Sequence, residues 1–268
     1  MGIEAIADAK KDFDHWLEAR KPYLTSSDMF SWREIGIPEW WSDTRDSIID
    51  TKFGGGDKEF DYETYVSMTH GTFDEVNIMA KFGKASGAKV EPCNKLFVND
   101  RWPSLAASID GFVYAPKDDP DHYLFQAPEM LDELIDNMVQ VIKPDTAILC
   151  EIKKSTSVKW QIGVPDYYIP QLQTQMHILD LPAAVIVTET IKRGADQKWR
   201  LFWDMRAYLV LRNPVWESKL DQANKEFEEA KEMYGAQSGH NGVSKVDVSS
   251  EQGGKASGKE QAEPTLQE

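Results

Sequence analysis

The stretch Ala147-Ile148-Leu149-Cys150-Glu151-Ile152-Lys153 constrains this chain more than any other. Its apolar run reads as a buried strand. Side chains alternate faces along a strand, so Glu151 and Lys153 share one face while Ile152 points into the core. A carboxylate and an ammonium at the end of a buried strand are costly to desolvate unless other groups, or a bound ion, complete the site. A Glu-x-Lys alone is common and is most often a surface ion pair of little energetic weight. This one directly follows a buried-type run. Upstream, Leu105 to Val113 places Asp110 in a second strand-like apolar run, followed at once by Gly111. An Asp on one strand and a Glu-x-Lys on its neighbour combine hard oxygen donors for Mg2+ with an amine for water or phosphate. That donor set suits metal-dependent phosphodiester hydrolysis.

The 268 residues suffice for one large domain with a full core, and 41% hydrophobic with 28% charged residues is a globular balance. No apolar run approaches the roughly 18 residues of a membrane span, and the opening residues lack a signal-peptide core. A cytoplasmic location without membrane attachment is therefore expected. Two cysteines, Cys93 and Cys150, are too few for a disulfide framework or a four-cysteine metal or iron–sulfur site. Cys150 reads as a small buried hydrophobe. A formal charge of −15 excludes a general nucleic-acid coat, since non-specific DNA binding depends on neutralising phosphates. A DNA enzyme with this balance must gather its basic residues in one cleft or keep DNA captive by topology.

Taken in order, Asp12 to Lys21 reads as a helix closed by Pro22, with Phe13, Trp16 and Leu17 on one face. Thr25 to Asp28 offers N-cap residues, which with Arg20 could form an anion pocket or simply cap a helix. Trp32 to Gly56 reads as a loop-heavy segment, in which Trp40 and Trp41 could stack on bases but are more often core or lid packing. Thr69 to Phe82 reads as a helix with Glu75 near its start, favoured there by the helix dipole or facing a metal site. Lys95 to Arg101 and Leu105 to Val113 read as paired strands. Residues 114–146 read as an insertion, polar at first and then an amphipathic helix over Ala127 to Ile142. Asp166 to Leu179 reads as a helix with Pro170 in its first turn. Gln171, Gln173 and Gln175 cannot all share a face there, so at most two point at a site. His177 reads as packed or exposed rather than as a ligand. Ala183 to Thr190, Trp199 to Trp203 and Ala207 to Leu211 complete a mixed sheet, and Val215 to Tyr234 reads as an amphipathic helix. Residues 235–268 have the composition of a disordered tail, so the expected organisation is one domain over residues 1–234 followed by that tail.

Five stretches in this order resemble the lambda exonuclease / YqaJ-like viral recombinase family of the PD-(D/E)XK nuclease superfamily. They are Trp16-Leu17-Glu18-Ala19-Arg20 with Thr25-Ser26-Ser27-Asp28, His70-Gly71-Thr72-Phe73-Asp74-Glu75, Ala107-Ser108-Ile109-Asp110-Gly111, Glu151-Ile152-Lys153, and Tyr168 to Met176 with its glutamines. Ile109 stands where the family pattern has Pro, which alters the turn but not the ligand. The resemblance implies an α/β, restriction-endonuclease-like core with a central mixed sheet flanked by helices. It implies that Asp110, Glu151 and the Ile152 carbonyl bind Mg2+ (two ions, with Mn2+ as a substitute) and that Glu75 contributes through water. Lys153 would position and activate the nucleophilic water, and Gln171 would support the water or the scissile phosphate. Arg20, Ser27 and Lys159 would grip a terminal 5′-phosphate.

The implied activity is 5′→3′ exonucleolytic release of mononucleotides from duplex DNA ends, leaving 3′ overhangs for a single-strand annealing protein. Implied too are a ring-shaped trimer threading DNA and a phage or prophage protein acting in the bacterial host cytoplasm. The insertion bears on the trimer more than on catalysis. Two other readings use the same residues: an endonuclease of repair or restriction, and a catalytically idle module that binds DNA ends.

Overall fold

The computed structural model describes residues 2–38, 41–54, 62–114, 146–155, 160, 163–193 and 199–240, with backbone alone at 62–73, 190–193, 199–204 and 235–240. The strands are β1 (Ile3–Asp8), β2 (Leu24–Thr25), β3 (Lys89–Pro92), β4 (Lys95–Asn99), β5 (Trp102–Ser108), β6 (Gly111–Tyr114), β7 (Ala147–Ser155), β8 (Ala183–Arg193) and β9 (Trp199–Leu211). The helices are α1 (Phe13–Arg20), α2 (Met29–Trp32), α3 (Arg45–Phe53), α4 (Tyr62–Ser86), α5 (Ile169–Ile178) and α6 (Val215–His240).

The expected central sheet is present, five-stranded and mixed, in the order β3-β6-β7-β8-β9. Strands β7 and β8 run parallel, and the other pairings are antiparallel. The alternation read from the sequence sorts β7 between two helices. Ile148, Cys150 and Ile152 pack with Ile78, Met79 and Phe82 of α4. Leu149 packs on the opposite face, with Leu172 and Met176 of α5. Glu151 and Lys153 follow Leu149 onto the α5 face. Burying each large apolar side chain contributes about 1.5–3 kcal/mol, so this double-sided packing fixes the height and orientation of β7.

A second, four-stranded sheet has the order β1-β4-β5-β2. It corrects the reading of Leu105 to Val113 as one strand. Strand β5 pairs with β4 in this sheet, whereas β6 pairs with β3 and β7 in the other. The chain changes sheets at Ile109-Asp110. Gly111 permits the change: a Cβ there would stand 2.6 Å from the Glu91 carbonyl oxygen, so only glycine lets β3 come this close.

Other boundaries also move. The segment read as loop-heavy contains α3, capped by Thr44, whose side chain accepts from the Ser47 N–H. Trp41 packs against Phe30 and donates Nε1–H to Ser31 Oγ at 2.8 Å, which accords with a packing role; Trp40 lies outside the described residues. Helix α4 begins at Tyr62, not near Thr69. The stretches around Trp199 and Ala207 form one strand, β9. Helix α6 continues to His240, beyond the expected end at Tyr234. The insertion at 115–145 and the tail from 241 lie outside the described residues.

Helix α6 closes the molecule against β5, α2 and α3. Phe227, fully buried, meets the rings of Trp32 and Phe53 at 5.5 and 5.2 Å. Phe227→Ala is expected to lower unfolding free energy by about 3–5 kcal/mol. Urea denaturation checks this, and a loss below about 1 kcal/mol would show that the α6 contact is peripheral.

Candidate active site

Glu151 lies at the middle of β7 with its side chain only 3% exposed. A carboxylate so buried needs partners for both oxygens, and it has them. Lys153 Nζ donates to Oε1 at 2.6 Å, as does Gln171 Nε2 at 2.6 Å. Gln175 Nε2 reaches Oε2 at 2.8 Å and also donates to the Ser108 carbonyl at 2.8 Å. Gln171 and Gln175 stand one helical turn apart and share a face of α5. Gln173 points away, donating to the Leu211 carbonyl. The expectation that at most two of the three glutamines face the site holds, but it leaves the role of Gln175 unread. The four-residue spacing is the signal that could have found it.

Asp110 sits at the point where the chain crosses between sheets. Its Oδ2 accepts the Ile152 backbone N–H at 2.7 Å, which ties the crossover to β7. Glu75 approaches from α4. It is mid-helix, so the dipole explanation for a first-turn Glu falls. It precedes Ile78 and Met79 by three and four residues and shares their sheet-facing stripe. Glu75, Asp110, Glu151, Lys153 and Gln171 thus line one cleft of about 300 Å³.

The same cleft extends to Trp16, Arg20, Thr25, Ser26 and Ser27. Arg20 stacks on the Trp16 ring, 4.4 Å from its centroid, and its Nη2 donates to Ser27 Oγ at 3.1 Å and Thr25 Oγ1 at 3.4 Å. Arg20 and Ser27 are therefore brought together. Lys159 lies outside the described residues. His177 is buried, with Nδ1 2.8 Å from the Gln173 carbonyl oxygen, and belongs to the core as expected. Buried Cys150 does too.

The charges are unevenly matched. Burial raises the Asp110 carboxyl well above its usual range, and the charges of Glu151 and Glu75 push it further. Burial and Glu151 likewise raise Glu75. Burial would lower Lys153, but Glu151 and Asp110 outweigh it and hold the side chain as an ammonium. Lys153 also lies 5.3 Å from the ring centroid of Tyr168, a phenol that burial pushes up to about 12. Among the described residues, no three His, Cys, Asp or Glu side chains are already gathered as a metal-binding group. Glu151 is instead turned to Lys153 and the two amides.

The family model for the YqaJ-like viral recombinase domain matches residues 15–182. Among solved structures, the alkaline exonuclease LHK-Exo from Laribacter hongkongensis is 16% identical, with 85% of this chain and 97% of that chain covered at a TM-score of 0.55. The same enzyme in complex with dAMP gives the same values. A phage-related exonuclease from Haemophilus somnus 129PT is 14% identical over 82% of this chain and 96% of that chain, with a TM-score of 0.45. At 16% identity the likeness to LHK-Exo is one of fold, and it agrees with the restriction-endonuclease-like core. No curated protein matches the chain.

A raised carboxyl pKa has a thermodynamic consequence. The unfolded chain releases the Asp110 proton at lower pH than the folded chain does. Stability from this group is therefore complete below its unfolded pKa and is lost as pH rises through the raised folded value. Without divalent metal, Asp110→Asn should be more stable than wild type at neutral pH, with the difference vanishing below about pH 4. Urea melts across that range in chelator measure it; a difference independent of pH would refute the assignment.

Proposed function

Since the chain belongs to the YqaJ-like viral recombinase family, we propose that it is a metal-dependent exonuclease that degrades duplex DNA ends 5′→3′ into mononucleotides. The observation that carries this reading is one cleft lined both by the carboxylates with Lys153 and by Arg20 with the Thr25 and Ser27 hydroxyls. A hydrolytic centre joined to an anion pocket is what stepwise removal of a phosphate-terminated nucleotide requires.

The residues fit a hard divalent cation. The donors are carboxylate oxygens; besides burial, the charges of Glu151 and Glu75 raise Asp110 and that of Glu151 raises Glu75, a sign of crowded negative charge that a cation would relieve. Two buried polar atoms among the cleft-lining residues, Ser108 Oγ and Asn94 Oδ1, have no hydrogen-bond partner among the described residues and would suit an ion's waters. Asp110, Glu151 and the Ile152 carbonyl would hold Mg2+ or Mn2+, and Glu75 would reach a second ion through water. When bound, the ions supply Lewis-acid polarisation of the phosphoryl group and acidify water. To hold an ion through Oε1, Glu151 would have to give up its bonds from Lys153 and Gln171, which would then be placed to donate to the attacking water and the phosphate. Lys153, held as an ammonium, orients the water's oxygen by donation and does not take its proton. Arg20 and Ser27, joined by Lys159, grip the terminal phosphate and fix the distance to the scissile bond. The 3′ overhang left behind would pass to a single-strand annealing protein. A ring of three copies would keep an acidic protein on DNA without high affinity.

The deciding experiment is end-labelled linear duplex with Mg2+, read for polarity and product size, beside a covalently closed circle. Labelled mononucleotides from 5′ ends and an intact circle are expected. Cutting of the circle would replace the exonuclease reading with an endonuclease. Asp110→Ala should reduce turnover by a factor of about 10³ or more. Unchanged turnover would remove the site assignment, and an inert wild type would favour an end-binding module.

A further inference from the structure

Arg20 faces a local competitor. Asp28 lies in the turn that follows Ser27, close enough for its charge to be felt at Arg20. An unpaired carboxylate there would bind the guanidinium and repel any phosphate approaching it. Yet Asp28 is turned elsewhere. Its Oδ2 accepts the Thr25 N–H at 3.0 Å and the Thr25 hydroxyl at 2.7 Å, and it pairs with Lys52 Nζ at 3.1 Å. Lys52 comes from α3, is 12% exposed, and also donates to the Arg20 carbonyl at 3.4 Å, so it bridges the end of α1 to the turn. Of the groups that hold Asp28 ionised against its burial, Lys52 outranks Arg20.

We propose that Lys52 is a positioning residue that sequesters Asp28 and so leaves the Arg20 guanidinium, with Ser27, available to a terminal phosphate. The inference rests on the phosphate-pocket reading above. The Thr25 hydroxyl spends its proton on Asp28, so its oxygen can only accept, from Arg20 and from Ser27 at 3.0 Å. The Ser27 proton is thus the one hydroxyl donor of the pair that can rotate to an incoming phosphate oxygen. Without Lys52, Asp28 would draw Arg20 toward itself, and the stacked geometry over Trp16 would be lost.

The test is the ratio of degradation rates on 5′-phosphorylated and 5′-hydroxyl duplex ends, with thermal midpoints recorded alongside. Lys52→Met should reduce the ratio about tenfold, as expected when a charge-assisted contact is weakened. Lys52→Met with Asp28→Asn should restore it, because the competing charge is gone while the amide oxygen that replaces the carboxylate can still accept from Thr25. Lys52→Arg should keep the ratio near wild type. A scaffold role alone would not be rescued by removing the second partner. Should Lys52→Met fail to fold, Asp28→Asn alone decides: a ratio kept or raised supports the inference, and a fall overturns it. An unchanged ratio in Lys52→Met, or no rescue by Asp28→Asn, overturns it while Arg20→Ala still tests the pocket. A wild type that treats both ends alike removes the pocket reading and this inference with it.

Discussion

The buried carboxylate of Glu151 is the constraint on which the rest of the structure depends. A carboxylate 3% exposed in the middle of a central strand would destabilise its own site if left unpartnered. Its partners come from two elements: Lys153 from the same strand, Gln171 and Gln175 from α5. The sheet and the helix are therefore joined by polar bonds at the place where chemistry is proposed, and by Leu149, Leu172 and Met176 beneath it. Gln175 extends the link to the Ser108 carbonyl and so to the strand that leads into Asp110. Strand β7, helix α5 and the sheet-to-sheet crossover share one small polar cluster.

The charge distribution answers the difficulty posed by a chain of net charge −15. One cleft is lined both by the carboxylates and by the Arg20 cation. Two acidic side chains next to cleft-lining residues are paired with lysines: Asp28 with Lys52 at 3.1 Å, and Asp74 with Lys154 at 2.6 Å. Local allocation of charge matters more to such a site than the total, because exposed charges are screened within about 10 Å at ordinary ionic strength.

Elements carrying a periodic apolar stripe were legible in the sequence. Helix α1, strand β7 and helix α5 fall where the pattern puts them, since their burial faces repeat at helical or strand spacing. Strand β1 left no such trace. It is an edge strand exposed over its first half and exists because β4 offers it a ladder. Helix α3 was hidden by its Trp-, Pro- and Gly-rich flanks and gains its place from packing, with Phe53 against Phe227 and Tyr234. The run through Asp110 looked continuous because apolar residues on both sides of a sheet change resemble one long buried strand.

The sequence by itself determined which chemical groups are present and in what order along the chain: the acids Glu75, Asp110 and Glu151, the amine of Lys153, the amide of Gln171, and Arg20 with Ser27. It also determined that Glu151 and Lys153 share a face, because strand alternation is a property of local backbone geometry. The tertiary structure alone decided that Asp110 stands at a crossover between two sheets and that Glu75 reaches the cleft from mid-helix. It alone set Gln175 on Glu151 and Lys52 on Asp28. Those pairings join residues 24 positions apart in both cases. No local periodicity encodes separations of that kind; they follow from how packed elements bring distant backbone together, and from the cost of leaving any buried charge without a partner.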